Sequence, residues 1–179
     1  MGRKARKNER RKIENEFLRD RYIGKSAAPG VHDFVIVLDN LKVDFNIGKI
    51  FRSAYAFGAR EIHVIGTSWF DPGPAKGALK YVPAKFFSSH EESFSDLKTR
   101  GYEIFVFDLG AKSVLGRSAL PKKSAFVLGS EGHGITFDCT GKDVTIVTIP
   151  QFGKMESLNV SVAASIAMYE WVRQHHDPA

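Results

Sequence analysis

Three stretches of the chain carry the residue types that could do chemistry. Residues 44–54 read Asp-Phe-Asn-Ile-Gly-Lys-Ile-Phe-Arg-Ser-Ala and close on Phe57-Gly58, with Asn46 and Arg52 six positions apart. An arginine beside an apolar helix face either pairs with a carboxylate or aims its planar fork at a phosphate. Residues 126–135 read Phe-Val-Leu-Gly-Ser-Glu-Gly-His-Gly-Ile. Glycines just past a strand make a turn, or let another molecule approach the backbone closely. Their order is not the dinucleotide fingerprint, a Walker loop or a nucleophile elbow. Glu131 has no second acid beside it, and His133 reads as a base or as a surface residue. The third stretch, residues 149–163, places Ser157, Asn159 and Ser161 within five residues. Each suits a helix cap, but one cap is enough. The others are then available to face a ligand.

These stretches sit where an alternating pattern of elements would put a site. Residues 34–38 (Phe-Val-Ile-Val-Leu) form a continuous apolar, β-branched run, as expected of a buried parallel strand. Ile47, Ile50, Phe51, Ala54 and Phe57 recur at helical spacing, with Asn46 placed as N-cap and Gly58 as the terminating residue. Further strands are expected over 61–65, 86–88, 102–107, 125–128 and 144–149, and helices over 91–100 and 158–173. This order defines an α/β protein with a mostly parallel sheet and helices on both faces. Ligands in such sheets bind outside the carboxyl ends of strands, where the three stretches fall.

Charge divides the chain differently. Residues 1–25 hold ten Lys or Arg and four acids, which accounts for the whole net charge of +6; the rest is balanced, with 16 of each sign. A neutral body with a basic arm suits a polyanion, nucleic acid first. Arg3, Lys4, Arg6, Lys7, Arg10, Arg11 and Lys12 are the candidate phosphate contacts. Within the arm, Ile13, Phe17 and Leu18 make at most a weak apolar face, and Gly24 to Gly30 reads as a flexible linker. The expected division is therefore a basic extension and linker over 1–30 and a folded domain over 31–179. Removing 1–25 should leave the fold intact. The one cysteine, Cys139, cannot form an internal disulfide or a multi-thiolate metal site. No apolar run approaches the ~20 residues of a membrane span. No apolar stretch follows the charged N-terminus as a secretory signal requires, so a cytoplasmic location is expected.

Taken together and in order, the three stretches resemble the three motifs of the TrmH (SpoU) family, in the SPOUT class of RNA methyltransferases. The resemblance covers about residues 33–173. It implies a parallel sheet whose C-terminal part is threaded into a trefoil knot, a homodimer with composite active sites, and S-adenosylmethionine (SAM) as methyl donor, with no metal. By motif position, the cofactor contacts fall on Leu128, Gly129, Gly132, Ile149 and Leu158, mainly through backbone groups. The catalytic set falls on Arg52, Asn46, Glu131, Ser157 and Asn159. The implied reaction is methyl transfer to a ribose 2′-hydroxyl of tRNA or rRNA. The family role for Arg52 is general base, aided by an RNA phosphate. A guanidinium is effectively never neutral, so the alternative is a cationic clamp on that phosphate. Two other classes share the fold: a catalytically silent RNA-binding protein and an RNA base methyltransferase. The intact motif residues oppose the first, and the Asn46/Arg52 pair favours ribose over base.

Overall fold

The computed structural model describes residues 3–130, 132–155 and 157–176, with side chains from residue 7 onward. The chain runs α1 (Arg3–Gly24), β1 (His32–Asp39), α2 (Phe45–Ala56), β2 (Ala59–Ile65), β3 (Ala84–Phe87), α3 (His90–Thr99), β4 (Glu103–Phe107), β5 (Ser113–Val114), β6 (Ser124–Leu128), β7 (Thr145–Thr148) and α4 (Val160–His175). Two short 3-10 turns, Gly73–Ala75 and Ala78–Lys80, lie between β2 and β3. All seven strands join one sheet in the order β3-β2-β1-β6-β4-β7-β5, and every pairing is parallel. β1 sits between β2 and β6, which is why its run Phe34–Leu38 is apolar throughout and fully buried. α1, α2 and α4 cover one face, with Phe17, Phe51 and Trp171 in its core; α3 covers the other through Phe94 and Leu97. No helix among the described residues is long and apolar enough to cross a membrane.

α2 begins two residues earlier than its sequence suggests. Asp44 is the N-cap, its carboxylate accepting the Asn46 backbone N–H at 3.2 Å. Asn46 therefore lies inside the first turn. Both residues are cap formers, and the carboxylate that also favours the positive helix end takes the position. That frees the Asn46 side chain for another partner.

The N-terminal segment departs most from expectation. It is a 22-residue helix docked along its C-terminal half. Phe17 is 1% exposed, packed edge-on against Phe70 and Phe86 at centroid distances of 5.0 and 6.1 Å. Asp20 is buried, in ion pairs with Arg19 at 2.9 Å and Lys80 at 3.6 Å. Arg21 lies over the Phe86 ring at 3.9 Å. Leu18, expected on the apolar face, is exposed. The expected flexible linker lies against the body: a Cβ at Gly24 would meet the Leu79 carbonyl oxygen at 2.3 Å, and one at Gly30 the Ala59 carbonyl oxygen at 2.1 Å. Phe17, buried Asp20, Arg21 and the close approach at Gly24 fix this helix, too sparse an apolar pattern for periodicity to reveal. Residues 7–12, by contrast, are all exposed.

The second face of the sheet holds a buried ionic network. His63, fully buried, donates from Nε2 to Glu61 at 2.9 Å and accepts from Ser93 Oγ at Nδ1, 2.8 Å away. Arg100 and Lys85 bridge Glu61 to Asp96, with Arg100 2.8 Å and Lys85 3.1 Å from Asp96. Glu61, His63 and Asp96 could geometrically share a metal ion, but the two cations already occupy the carboxylates. Burial alone would raise the Glu61 carboxyl; hydrogen bonds from His63 and Arg100 outweigh it and hold the group at about 2 against an ordinary 4.5. Burial pushes His63 down from its ordinary 6.5, so it stays neutral in the fold at neutral pH.

Both shifts destabilise the fold in acid. Below about pH 6.5 the unfolded chain takes a proton on His63 that the folded chain resists. Glu61 contributes stability above pH 4.5 that is lost as pH falls from there toward 2, on the order of 2–3 kcal/mol. Urea midpoints should fall continuously from pH 7 to 3. In Glu61→Gln the midpoint should be lower at pH 7 and the decline below pH 4.5 shallower; an unchanged pH profile in that variant would show that the network does not govern acid stability.

Candidate active site

The carboxyl ends of β6, β4 and β7 open into a cleft of about 230 Å³. Its walls come from three loops. Leu128 ends β6, and Gly129, Ser130, Gly132 and Gly134 follow it; Ile149, Gln151, Ser157 and Leu158 follow β7; Phe107 ends β4, and Asp108 and Leu109 follow it. All five residues expected to hold a cofactor, namely Leu128, Gly129, Gly132, Ile149 and Leu158, line it. The β4 contribution was missed. The signal was present, because β4 is also a buried strand ending in a polar Asp-Leu-Gly turn, and strand carboxyl ends are where ligands bind.

The loop after β6 owes its glycines partly to its own folding. It closes through paired backbone hydrogen bonds between Ser130 and Gly134, each 2.8 Å. A Cβ on Gly129 would meet the Gly134 and Ile135 backbone at 2.1–2.3 Å. Gly129 is thus required by the chain's own return. Gly132 has nothing within 4 Å of the site of a Cβ, so there an approaching ligand can reach the backbone.

A small annex of about 20 Å³ continues the cleft, sharing Ser130, Gly132 and Val160 and adding Leu41, Asp44 and Asn46. Here the first and third motifs meet. Asn159, the N-cap of α4, accepts from the Ser161 backbone N–H at 3.1 Å with its oxygen and donates from its amide to Asn46 Oδ1 at 3.2 Å. Capping therefore falls to Asn159, and Ser157 is left facing the cleft. Glu131 lies outside the described residues. Arg52 is not among the lining residues of the cleft or its annex. It is exposed on α2, six residues or about 9 Å along the axis from Asn46. Among the described residues no carboxylate lies within the 4.0 Å of an ion pair with it, which removes the structural ion pair that its setting suggested. His133 is exposed on the loop.

A parallel sheet covered on both faces, with a cleft at its carboxyl edge, defines an α/β protein whose cleft lies where such sheets bind ligands. The SpoU rRNA Methylase family signature matches residues 33–169, and the chain belongs to that family. It is 33% identical over 157 residues to an uncharacterized tRNA/rRNA methyltransferase of Synechocystis, covering 85% of this chain and 41% of that protein. It is 34% identical to the 23S rRNA (guanosine-2′-O-)-methyltransferase RlmB of Nitrosomonas europaea, covering 79% and 56%. The chain thus spans about half the length of these relatives. Its fold matches that of the SpoU methyltransferase AviRb from Streptomyces viridochromogenes, solved in complex with AdoMet, with a TM-score of 0.73 at 25% identity, covering 87% and 62%.

Proposed function

We propose that this protein transfers a methyl group from SAM to a ribose 2′-hydroxyl of tRNA or rRNA. The Asn159–Asn46 hydrogen bond carries the reading, because it joins the first and third motifs beside the glycine loop that walls the cleft. The cleft suits SAM: apolar walls from Leu128, Val147, Ile149 and Leu158 accept a nucleoside, and exposed Asp108 offers a carboxylate at the rim to a cationic ligand. The donor supplies an electrophilic methyl group on a sulfonium with a neutral leaving group. The protein's task is to align the hydroxyl oxygen and help its proton leave. Ser157, Asn46 and Asn159, with Glu131, are the polar groups that would orient donor and acceptor. Arg52, exposed and with no carboxylate partner among the described residues, is suited to hold an RNA phosphate as a cation and to steady charge on the oxygen. Phosphate or water then takes the proton. The C-terminal loops around the cleft would be threaded as a trefoil knot.

The RNA reading gains from the placement of α1. Its basic N-terminal half lies at the strand carboxyl edge, since Arg10 sits 5.3 Å over Trp69, a few residues past the end of β2. Its C-terminal end lies at the opposite edge, against Leu79. Lys7, Arg10, Arg11 and Lys12 therefore project on the same side as the cleft. Arg3, Lys4 and Arg6 belong to the same helix, though their side chains lie outside those described. The domain reading follows: residues 1–30 form a docked RNA-binding extension of a methyltransferase domain over 31–179.

Homodimerisation would bring Arg52 to a composite site. The exposed groove between α2 and α4, lined by Phe57, Val162, Ile166 and Tyr169, is the face for a second copy. Light scattering at micromolar concentration should give twice the 19.9 kDa chain mass; an active monomer would refute the dimer. The reaction is tested by incubating the chain with labelled SAM and total RNA. Nuclease digestion should place label on ribose. Label on a base would favour base methylation, and SAM binding without transfer to any RNA would favour a silent RNA-binding protein.

A further inference from the structure

We infer that Asp39 is a positioning residue for the cofactor loop, bolting the loop after β6 to the end of β1. The inference rests on reading the cleft as the SAM site. Asp39 is the last residue of β1 and is fully buried, yet it lines neither the cleft nor its annex. Among the described residues no cation pairs with it within 4.0 Å. Its partners are both on one residue: the Thr136 backbone N–H donates to Oδ2 at 2.5 Å, and the Thr136 hydroxyl lies 2.8 Å from Oδ1 and 3.0 Å from Oδ2. A buried carboxylate without a cation is costly to keep, so its retention needs a use.

The geometry supplies one. β1 and β6 are neighbours with Leu38 opposite Leu128, so Asp39 lies beside the point where the chain leaves the sheet at Gly129. The loop turns back through the Ser130–Gly134 pair and reaches Thr136. Its first end is fastened by the sheet; its second is held by Asp39, beside the packing of Ile135 and Phe137 against the core under α3. Between the two fastenings lie Gly129, Ser130, Gly132 and Gly134, which form one wall of the cleft. Removing the Asp39 hydrogen bonds loosens that wall, and ligand binding must then order it again.

The test uses the full chain and calorimetry with S-adenosylhomocysteine, beside steady-state methylation. Thr136 is exposed, so Thr136→Val deletes the hydroxyl with little risk to folding. It should weaken ligand binding about three- to tenfold, and Asp39→Ala about tenfold or more, as loss of hydrogen bonds to a charged group predicts. Asp39→Asn should rescue to within about threefold, because its amide oxygen can accept the N–H while its NH₂ donates to the hydroxyl oxygen. Thr136→Val added to Asp39→Ala should cost nothing more. KM for SAM should rise, with kcat and the KM for RNA unchanged. Wild-type binding with equal affinity in Thr136→Val and Asp39→Ala, or a fall in kcat without a rise in KM for SAM, overturns the assignment. A wild-type chain that binds no ligand removes the cofactor reading, and this inference with it.

Discussion

Arg52→Ala should lower the rate of methyl transfer by about a hundredfold or more while leaving SAM affinity within about twofold of wild type. The rate effect is that of removing an electrostatic or acid–base group from a transition state. The unchanged affinity follows from placement, since Arg52 lines neither the cleft nor the annex. Arg52→Lys separates two roles. Lysine keeps the charge but loses the planar fork. A phosphate clamp therefore predicts a poor enzyme with a raised KM for RNA. Full activity in Arg52→Lys would show that bidentate geometry is irrelevant and that a point charge suffices. Loss of SAM binding in Arg52→Ala would place the residue in the cofactor site instead.

Neutralising the projecting half of α1 should give the second large effect. Lys7, Arg11 and Lys12 are exposed, and changing all three to Gln removes charge without touching the docked half. RNA affinity should fall about ten- to a hundredfold at moderate salt. If roughly six cations contact phosphate in the wild type, log affinity should fall against log salt with slope about −4 to −5. The triple variant should be shallower by about 2 to 3. Turnover on saturating RNA should change less than affinity, because phosphate contacts position the substrate and the chemistry sits elsewhere. Equal slopes for both proteins would reduce the helix to a structural role. Deleting the whole arm, which the sequence suggests is harmless, is a poor test. It would excise Phe17 from the core, and Phe17→Ala alone should cost about 3–5 kcal/mol by thermal or urea unfolding.

The sequence alone carries much of the site. Gly132, Ile149, Ser157 and Leu158 are legible because a strand run ends and a polar or glycine-rich turn begins, and that change of pattern is local. The same holds for β1 and β6, whose unbroken apolar runs require burial on both faces. Three further features exist only in the tertiary structure. β5 is two residues long, too short to have a period. The Glu61 network draws Lys85, Asp96 and Arg100 from β3 and the α3 region, so no single segment displays it. α1 reads as a charged arm because one buried aromatic, Phe17, decides its docking, and the Phe70 and Phe86 rings that receive it lie more than fifty residues away. Local spacing tells which face of an element is apolar. Which surface that face meets is settled by packing between distant segments, and so is the bond that joins Asn46 to Asn159 across 113 residues.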